Sequence, residues 1–204
     1  MAREKDSAKT KEAIFRAAEK AFSQKGLYGT RVDEIAKSAG INKRMIYEYY
    51  GCKVDLYREV LGVAYSRIAS AGRSVVDEDD SYEEAIKKVV RFYFIYLNDN
   101  PAYVNLILWE NLNKGEFISG IASDIRPPAL TRLKAILERE RKAGRIKKDT
   151  KPDQIQITLL TSTFAYFSNR YTLGKMLKQD LMKKESIDKR AGDLAEMLIT
   201  YIKR

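Results

Sequence analysis

The side chains with the clearest capacity for chemistry lie between residues 43 and 50, in the segment KRMIYEYY. Ile46 and Tyr50 are four residues apart, so on a helix they share one face and are expected to close a small core. The other side chains then point elsewhere: Lys43, Arg44, Met45, Tyr47, Glu48 and Tyr49. Cationic and hydroxyl-bearing side chains on one helix are suited to phosphate oxygens and base edges, which indicates nucleic-acid binding.

Two earlier helices are predicted to position this one. The first carries apolar residues at the i, i+3, i+4, i+7 and i+8 spacing: Ile14, Ala17, Ala18, Ala21 and Phe22. Gly26 is expected just beyond its C-terminus. Thr30 followed by Asp33 predicts an N-cap and an acidic first turn for a second helix. That second helix has its own short apolar stripe, formed by Val32, Ile35, Ala36 and Ala39.

A tight corner joins the second and third helices. Gly40 ends the second helix, Ile41 fills the corner, and Asn42 is suited to cap the third helix. Three short helices with such a corner have the layout of a helix-turn-helix, which places one helix in the major groove of DNA. The spacing therefore predicts a DNA-binding domain at this end of the chain.

The composition agrees with an anionic partner and gives no support for catalysis. Lys and Arg number 38 against 28 Asp and Glu, and histidine is absent. A merely soluble basic surface explains the net charge of +10 nearly as well, but residues 1–75 are basic whereas residues 76–129 are acidic. The sequence has no phosphate-cradling glycine loop, nucleophile elbow or metal-ligand cluster. We therefore predict a protein that is not an enzyme and that needs no cofactor or metal.

The cellular compartment follows from what the sequence lacks. Cys52 is the single cysteine, which excludes an intrachain disulfide and fits a reducing interior. No signal peptide is evident, and no run of 18 apolar residues could span a bilayer. A cytoplasmic protein without membrane contact is expected.

The rest of the chain is predicted to be helical, since no segment shows sustained alternation with a period of two. The expected helices cover residues 53–74, 81–98, 101–113, 127–144, 153–172 and 186–203, with a shorter piece near 116–124. The predicted fold is all-α. A three-helix helix-turn-helix DNA-binding domain (1–52) precedes a helical bundle (53–204) for ligand binding and dimerisation.

The last two long helices are apolar on nearly all sides, which is typical of helices buried on both sides. One side is expected to pack on its own subunit and the other on a second copy, although burial inside one monomer is the alternative. The predicted dimer interface consists of Ile155, Leu159, Ser162, Tyr166, Leu194, Leu198 and Tyr201.

About 50 residues resemble the N-terminal pattern of the TetR/AcrR family of bacterial one-component repressors. The matching positions are Phe22, Gly26, Thr30, Val32, Ile35-Ala36, Ala39-Gly40-Ile41, Ile46-Tyr47, Tyr49-Tyr50 and Lys53. A second stretch resembles one C-terminal subgroup of the same family, through Asn100-Pro101, Leu106, Trp109-Glu110-Asn111, Gly115 and residues 166–173.

The resemblance also implies which residues of this segment contact the DNA. It implies phosphate contacts from Thr30, Tyr47, Tyr49 and Lys53, and base-edge contacts from Lys43, Arg44 and Met45. Arg44 has the donors for a bidentate contact to guanine, and Met45 can lie against a thymine methyl group. Arg31 and Met45 depart from the usual family residues. Arg31 is expected to add a phosphate contact and Met45 to lose a hydroxyl donor, so the operator is expected to be the chain's own.

The resemblance also implies a two-state repressor that binds a palindromic double-stranded operator as a homodimer and is released by a small-molecule effector. Aromatic and polar residues on the middle helices are the candidates for the effector site: Tyr93, Tyr103, Trp109, Glu110, Asn113, Tyr166, Asn169 and Arg170. A transcriptional activator, or a helical small-molecule-binding protein without DNA binding, are the alternatives.

Overall fold

A computed structural model describes residues 2–119, 121 and 127–204, with side chains from residue 7 onward. Within these residues the regular structure is α-helical, which confirms the predicted all-α class. The helices are α1 (Ala2–Gly29), α2 (Val32–Ala39), α3 (Lys43–Tyr50), α4 (Lys53–Ala71), α5 (Tyr82–Asp99), α6 (Pro101–Leu112), α7 (Pro128–Lys142), α8 (Pro152–Ser168), α9 (Arg170–Leu177) and α10 (Lys184–Ile202).

The helices form two compact units. The first unit contains α1, α2, α3, most of α4, and α6. The second unit contains the end of α4, together with α5 and α7 to α10. We predicted a DNA-binding domain at residues 1–52 and a ligand-binding and dimerisation domain at residues 53–204. This functional division stays a prediction.

The core of the first unit is built on the stripe predicted for α1. Ile14, Ala18 and Phe22 are fully buried and pack with Ile46 of α3. The Tyr57 ring of α4 completes this core, with its centroid 5.1 Å from that of Phe22 in an edge-to-face arrangement. Aromatic rings buried in this geometry add about 0.5–1.5 kcal/mol beyond the area they remove from water. The small helices α2 and α3 are thus held by α1 and α4.

The second unit is centred on α5, which packs against α7, α8 and α10. Its start is fixed by a capping box, in which Ser81 accepts from the Glu84 N–H and the Glu84 carboxylate accepts from the Ser81 N–H. Farther along, Phe94 is buried against Tyr166 and Phe167, with ring centroids 5.5 and 5.6 Å apart. This aromatic cluster joins α5 to α8.

Several helix ends shift by one or two residues, and four features differ more clearly from the predictions. The single helix expected over 153–172 is interrupted at Asn169, which separates α8 from α9. Helix α4 ends at Ala71 instead of Ser74. Thr30 does not cap α2, since Arg31 occupies the N-cap position without a side-chain bond. Of the piece expected near 116–124, residues 116–119 and 121 form turns, and the others lie outside the described residues.

Candidate nucleic-acid interface

The corner between α2 and α3 has the geometry that its residues predict. Gly40 adopts a left-handed conformation (φ 68°), and its N–H lies at the carbonyls that end α2. The Asn42 side chain then accepts a hydrogen bond of 2.9 Å from the Arg44 N–H, which caps the start of α3. The turn is therefore closed by local bonds at both ends, and the direction of α3 is set by the corner.

One side of α3 is anchored in the core of the first unit. Ile46 is fully buried, and Tyr50 packs beside it, as predicted. The Tyr50 hydroxyl donates to the carbonyl of Lys11 at 2.9 Å, and burial raises its pKa to about 12. Met45 and Tyr49 are half-buried against the same core, so only part of each side chain is open to a partner.

The other side of α3 is exposed and carries the predicted cations. Lys43 forms an ion pair with Asp33 of α2 at 3.1 Å. Arg44 donates from Nε to Glu48 Oε1 at 3.0 Å, one turn along the same helix. The Tyr47 side chain is also exposed. The Glu48 partnership was missing from the sequence prediction, although its i,i+4 spacing from Arg44 is a signal that indicates it.

Two residues predicted to bind phosphates form hydrogen bonds within the protein. Thr30 is buried, and its hydroxyl donates to the Gly26 carbonyl at 2.7 Å. Because the hydroxyl is covered and already bound, the structure disfavours the predicted phosphate contact, which stays a prediction. Lys53 Nζ donates to the Thr30 carbonyl at 3.1 Å but is only partly buried, so other donors of the ammonium remain open. Arg31, beside Thr30, is exposed.

The charges on this surface are placed against the preference of the helices. The first turn of α3 has no acidic residue and contains Lys43 and Arg44. Lys53 is the first residue of α4, whose first turn also contains Asp55. A helix N-terminus carries partial positive charge, so cations there are unfavourable unless an anion approaches. The surface formed by Arg31, Lys43, Arg44, Tyr47 and Lys53, called the α3 surface below, is thus electrostatically prepared for an anionic partner.

The effector candidates of the first unit are mostly engaged within the protein. Glu110 is buried and accepts from the Tyr57 hydroxyl at 3.3 Å and from the N–H groups of Phe117 and Ile118 at 2.8 and 3.1 Å. Burial, and then the Glu110 charge, raise the pKa of Tyr57 above its usual range. Asn113 Nδ2 is buried near the Tyr57 hydroxyl, but within the described part of the chain it makes no hydrogen bond of normal geometry. This amide therefore remains the strongest ligand candidate of the set.

Two aromatic candidates of the first unit also make packing contacts. The Tyr103 ring lies 5.7 Å from that of Tyr65, edge to face. The Trp109 ring lies over Gly26, whose backbone bends sharply there (φ 67°, ψ −178°). Trp109 also lines a groove of about 500 Å³ with Leu108 and other residues of α1 and α6.

The candidates of the second unit do not converge on one cavity. Tyr93 is buried, whereas Asn169 is exposed at the end of α8. Arg170 donates to the Phe167 carbonyl at 2.7 Å. Tyr166 lines a groove of about 720 Å³ between α8, α9 and α10, and its hydroxyl donates to the Leu181 carbonyl at 2.6 Å. The effector site therefore stays a prediction.

The structure changes the choice of interface residues. Five of the seven are buried within this chain: Ile155, Leu159, Tyr166, Leu194 and Leu198. Side chains covered by their own subunit offer little surface to a partner, so their burial does not favour these five, and the interface stays a prediction. Ser162 is half-buried and Tyr201 is exposed. The apolar side chains that α8 and α10 leave exposed are instead Ile157, Met197 and Tyr201.

None of the helices in the described ranges combines the length and the apolar character that a membrane span requires.

Comparison with known proteins agrees with the geometry of the α3 surface. Residues 14–60 match the family model described as bacterial regulatory proteins, tetR family. Residues 83–198, more than half of the chain, match the model of a tetracyclin repressor-like C-terminal domain. The first model spans the helix-turn-helix, and the second spans most of the second unit's helices.

Curated relatives and solved structures lead to the same family. The HTH-type transcriptional repressor NicS of Pseudomonas putida is 29% identical over 180 residues, covering 87% of this chain and 85% of that protein. The repressor SCO4008 of Streptomyces coelicolor is 32% identical over 54% of each chain. The crystal structure of the transcriptional regulator SCO4942 from Streptomyces coelicolor has a TM-score of 0.71 at 21% identity, covering 95% of this chain and 98% of that one. The chain therefore belongs to the TetR family of bacterial transcriptional regulators.

Proposed function

We propose that this regulator is a repressor, which binds a palindromic operator as a homodimer and is released by a small-molecule effector. The observation that carries the proposal is the α3 surface, where exposed Lys43 and Arg44 and partly buried Lys53 occupy the N-terminal turns of α3 and α4. Phosphates would satisfy these positions, since an anion at a helix N-terminus binds both the side chains and the free N–H groups. The relatives NicS and SCO4008 are named as repressors, which favours repression over activation.

Each part of the α3 surface has a proposed task. Lys43, Arg44 and the exposed part of Met45 lie at the start of α3 and would face base edges in the major groove. Tyr47, Tyr49, Arg31 and Lys53 would contact the phosphates on either side, which fixes the position of the helix without selecting a sequence. Thr30 would contribute indirectly, by holding the break after Gly26 and by presenting its carbonyl to Lys53.

The dimer is proposed to form through the apolar side chains that α8 and α10 leave exposed. Ile157, Met197 and Tyr201 have 51%, 54% and 68% of their surfaces exposed, although all three are large and apolar or aromatic. Helices α8 and α10 pack on each other within the second unit, and Met197 and Tyr201 line the same groove of α10. A dimer would present two copies of α3 to half-sites about 34–36 Å apart.

The effector is proposed to bind near Asn113, whose buried Nδ2 has only a contact outside normal hydrogen-bond geometry with the Tyr57 hydroxyl in the described residues. A buried amide with a poor hydrogen bond is costly, and a ligand with a well-placed acceptor would satisfy it. Binding and DNA release must then be coupled reciprocally, so DNA would weaken effector binding by the same factor.

The proposal is tested by fluorescence anisotropy with DNA taken from upstream of the chain's own gene. A labelled palindromic duplex is titrated with the protein at several salt concentrations. We expect binding of two chains per duplex, and an affinity whose logarithm falls with log salt by about 0.9 per neutralised phosphate. Lys53→Gln should weaken all duplexes evenly, whereas Lys148→Gln, which removes a cation of the second unit, should leave binding unchanged. Absence of salt-dependent binding to any upstream palindrome would contradict the proposal.

A further inference from the structure

The strongest unexplained feature of the α3 surface is the ion pair between Arg44 and Glu48. Arg44 Nε donates to Glu48 Oε1 at 3.0 Å across one turn of α3. Both side chains are open to solvent, with 85% and 56% of their surfaces exposed. The pair therefore lies on the part of α3 that is free to enter a groove.

Stability of the helix does not account for this pair. Exposed ion pairs contribute little to folding, because solvent screens them and both side chains lose freedom. The order of charges is also the less favourable one, since the cation lies in the first turn and the acid near the C-terminus. Reversing the two residues would suit the helix better. Because this arrangement opposes the helix dipole at both ends, we infer that the pair serves binding to the DNA partner and not the stability of α3.

The geometry leaves the other edge of the guanidinium open. Glu48 takes the Nε donor, and within the described part of the chain the terminal nitrogens of Arg44 donate to no other group. A guanine offers O6 and N7 in the major groove, which accept two parallel N–H bonds from one guanidinium. A planar guanidinium that is held at Nε has fewer orientations to lose when it forms that contact.

We propose that Glu48 determines base preference by orienting Arg44 toward a guanine. Glu48 is thus a positioning residue that acts through Arg44. Its second oxygen is also free to accept from a neighbouring cytosine amino group. The inference rests on the proposed DNA binding, and it adds the residue that selects one base pair of each half-site.

A second acid of this surface provides a matched control. Asp33 pairs with Lys43 at 3.1 Å, and both side chains are exposed. Asp33→Asn and Glu48→Gln each remove one negative charge from the same surface, so both should strengthen general phosphate attraction to a similar degree. Only Glu48→Gln disturbs the guanidinium of Arg44.

The experiment compares sequence preference among full-length variants. A duplex library, randomised within the upstream palindrome, is selected with the unmodified protein, Glu48→Gln, Asp33→Asn, Arg44→Ala and the double variant Arg44→Ala/Glu48→Gln. We expect one guanine per half-site for the unmodified protein and about a tenfold loss of that preference with Glu48→Gln. Asp33→Asn should keep the preference. In the Arg44→Ala background, Glu48→Gln should cause no further loss at that position.

The outcomes separate this inference from the proposed function. If the unmodified protein selects no sequence, the proposed function fails, and the role of Glu48 fails with it. If the unmodified protein selects a palindrome but Glu48→Gln keeps its guanine preference, only the role of Glu48 is refuted. A change that is even across all sequences and leaves the base preference intact, or the same loss in the Arg44→Ala background, also refutes it. Equal melting temperatures by circular dichroism exclude an effect through folding.

Discussion

Replacing Gly26 with alanine tests how closely α6 approaches α1 in the first unit. Gly26 has φ 67° and ψ −178°, a backbone region that is essentially restricted to glycine. A β-carbon at this position would lie 2.7 Å from Trp109 Cδ2 and 2.8 Å from Cε3. The backbone strain is expected to cost about 1–3 kcal/mol, and the forced overlap with the ring about 1–3 kcal/mol more. Gly26→Ala should therefore destabilise folding by about 2–6 kcal/mol.

The measurement is equilibrium unfolding in urea, followed by circular dichroism at 222 nm. Gly40→Ala is the control, because Gly40 has nearly the same φ of 68° but no atom within 4 Å of the position that a new methyl group would take. It should lose only the cost of a left-handed conformation, about 1–2 kcal/mol. Trp109→Leu removes the indole ring, so adding Gly26→Ala in that background should cost less than it does in the unmodified protein.

The comparison isolates the contact between Gly26 and Trp109. If the ring blocks the new methyl group, the double variant is more stable than the sum of the two single changes predicts, by about 1–3 kcal/mol. Equal losses for Gly26→Ala and Gly40→Ala, combined with additive effects of Gly26→Ala and Trp109→Leu, would refute the argument. The close approach would then make no contribution to the packing of α6 on α1.

Three further predictions concern the two units. Tyr57→Phe deprives the buried Glu110 carboxylate of a donor and should lower the free energy of unfolding, measured by urea denaturation, by about 1–3 kcal/mol. Tyr50→Phe should cost less, because its partner carbonyl is exposed to water. Equal losses for the two variants would contradict this. Hydrogen bonds from two arginines lower the pKa of Glu140 to about 2, so its contribution is present above pH 4.3 or so and is lost as the pH falls toward 2. Because both arginines are about half exposed, we expect only about 1–2 kcal/mol, and Glu140→Gln should flatten this acid dependence of the unfolding free energy; an unchanged slope would refute it. Met197→Glu should shift the protein from dimer to monomer in analytical ultracentrifugation, whereas a dimer of unchanged affinity would exclude this face of α10.

Much of the first unit could be predicted because its signals are local. The i, i+3, i+4 stripe of α1 requires only that its residues share a face, and Ile14 and Phe22 are indeed buried. Gly40 and Asn42 act through bonds to atoms a few residues away, so their types alone indicate the corner. The role of Ile46 followed from the same reasoning. Such features depend on backbone geometry more than on distant neighbours.

The errors arose where the environment of a residue depends on distant segments. Threonine is a residue type favoured at N-caps, but the sharp bend at Gly26 brings the Thr30 hydroxyl to the Gly26 carbonyl instead. Helices α8 and α10 are apolar on several sides, so periodicity alone could not tell which side meets the protein's own core. Leu159 and Leu194 face inward, whereas Met197 faces out. The side of α8 and α10 that becomes buried is determined by α5, which packs against both helices.

The α3 surface shows how function can be recognised where the local rules for stability are broken. A helix of eight residues is too short to be stable alone, and α3 has cations at its start and an acid near its end. Each such charge is expected to cost about 0.3–1 kcal/mol. Burial of Ile46, worth about 1.5–3 kcal/mol, offsets much of that penalty. Because the first unit's core supports α3, the exposed side can keep charges that a free helix would not tolerate, and those charges are the ones that an operator would neutralise.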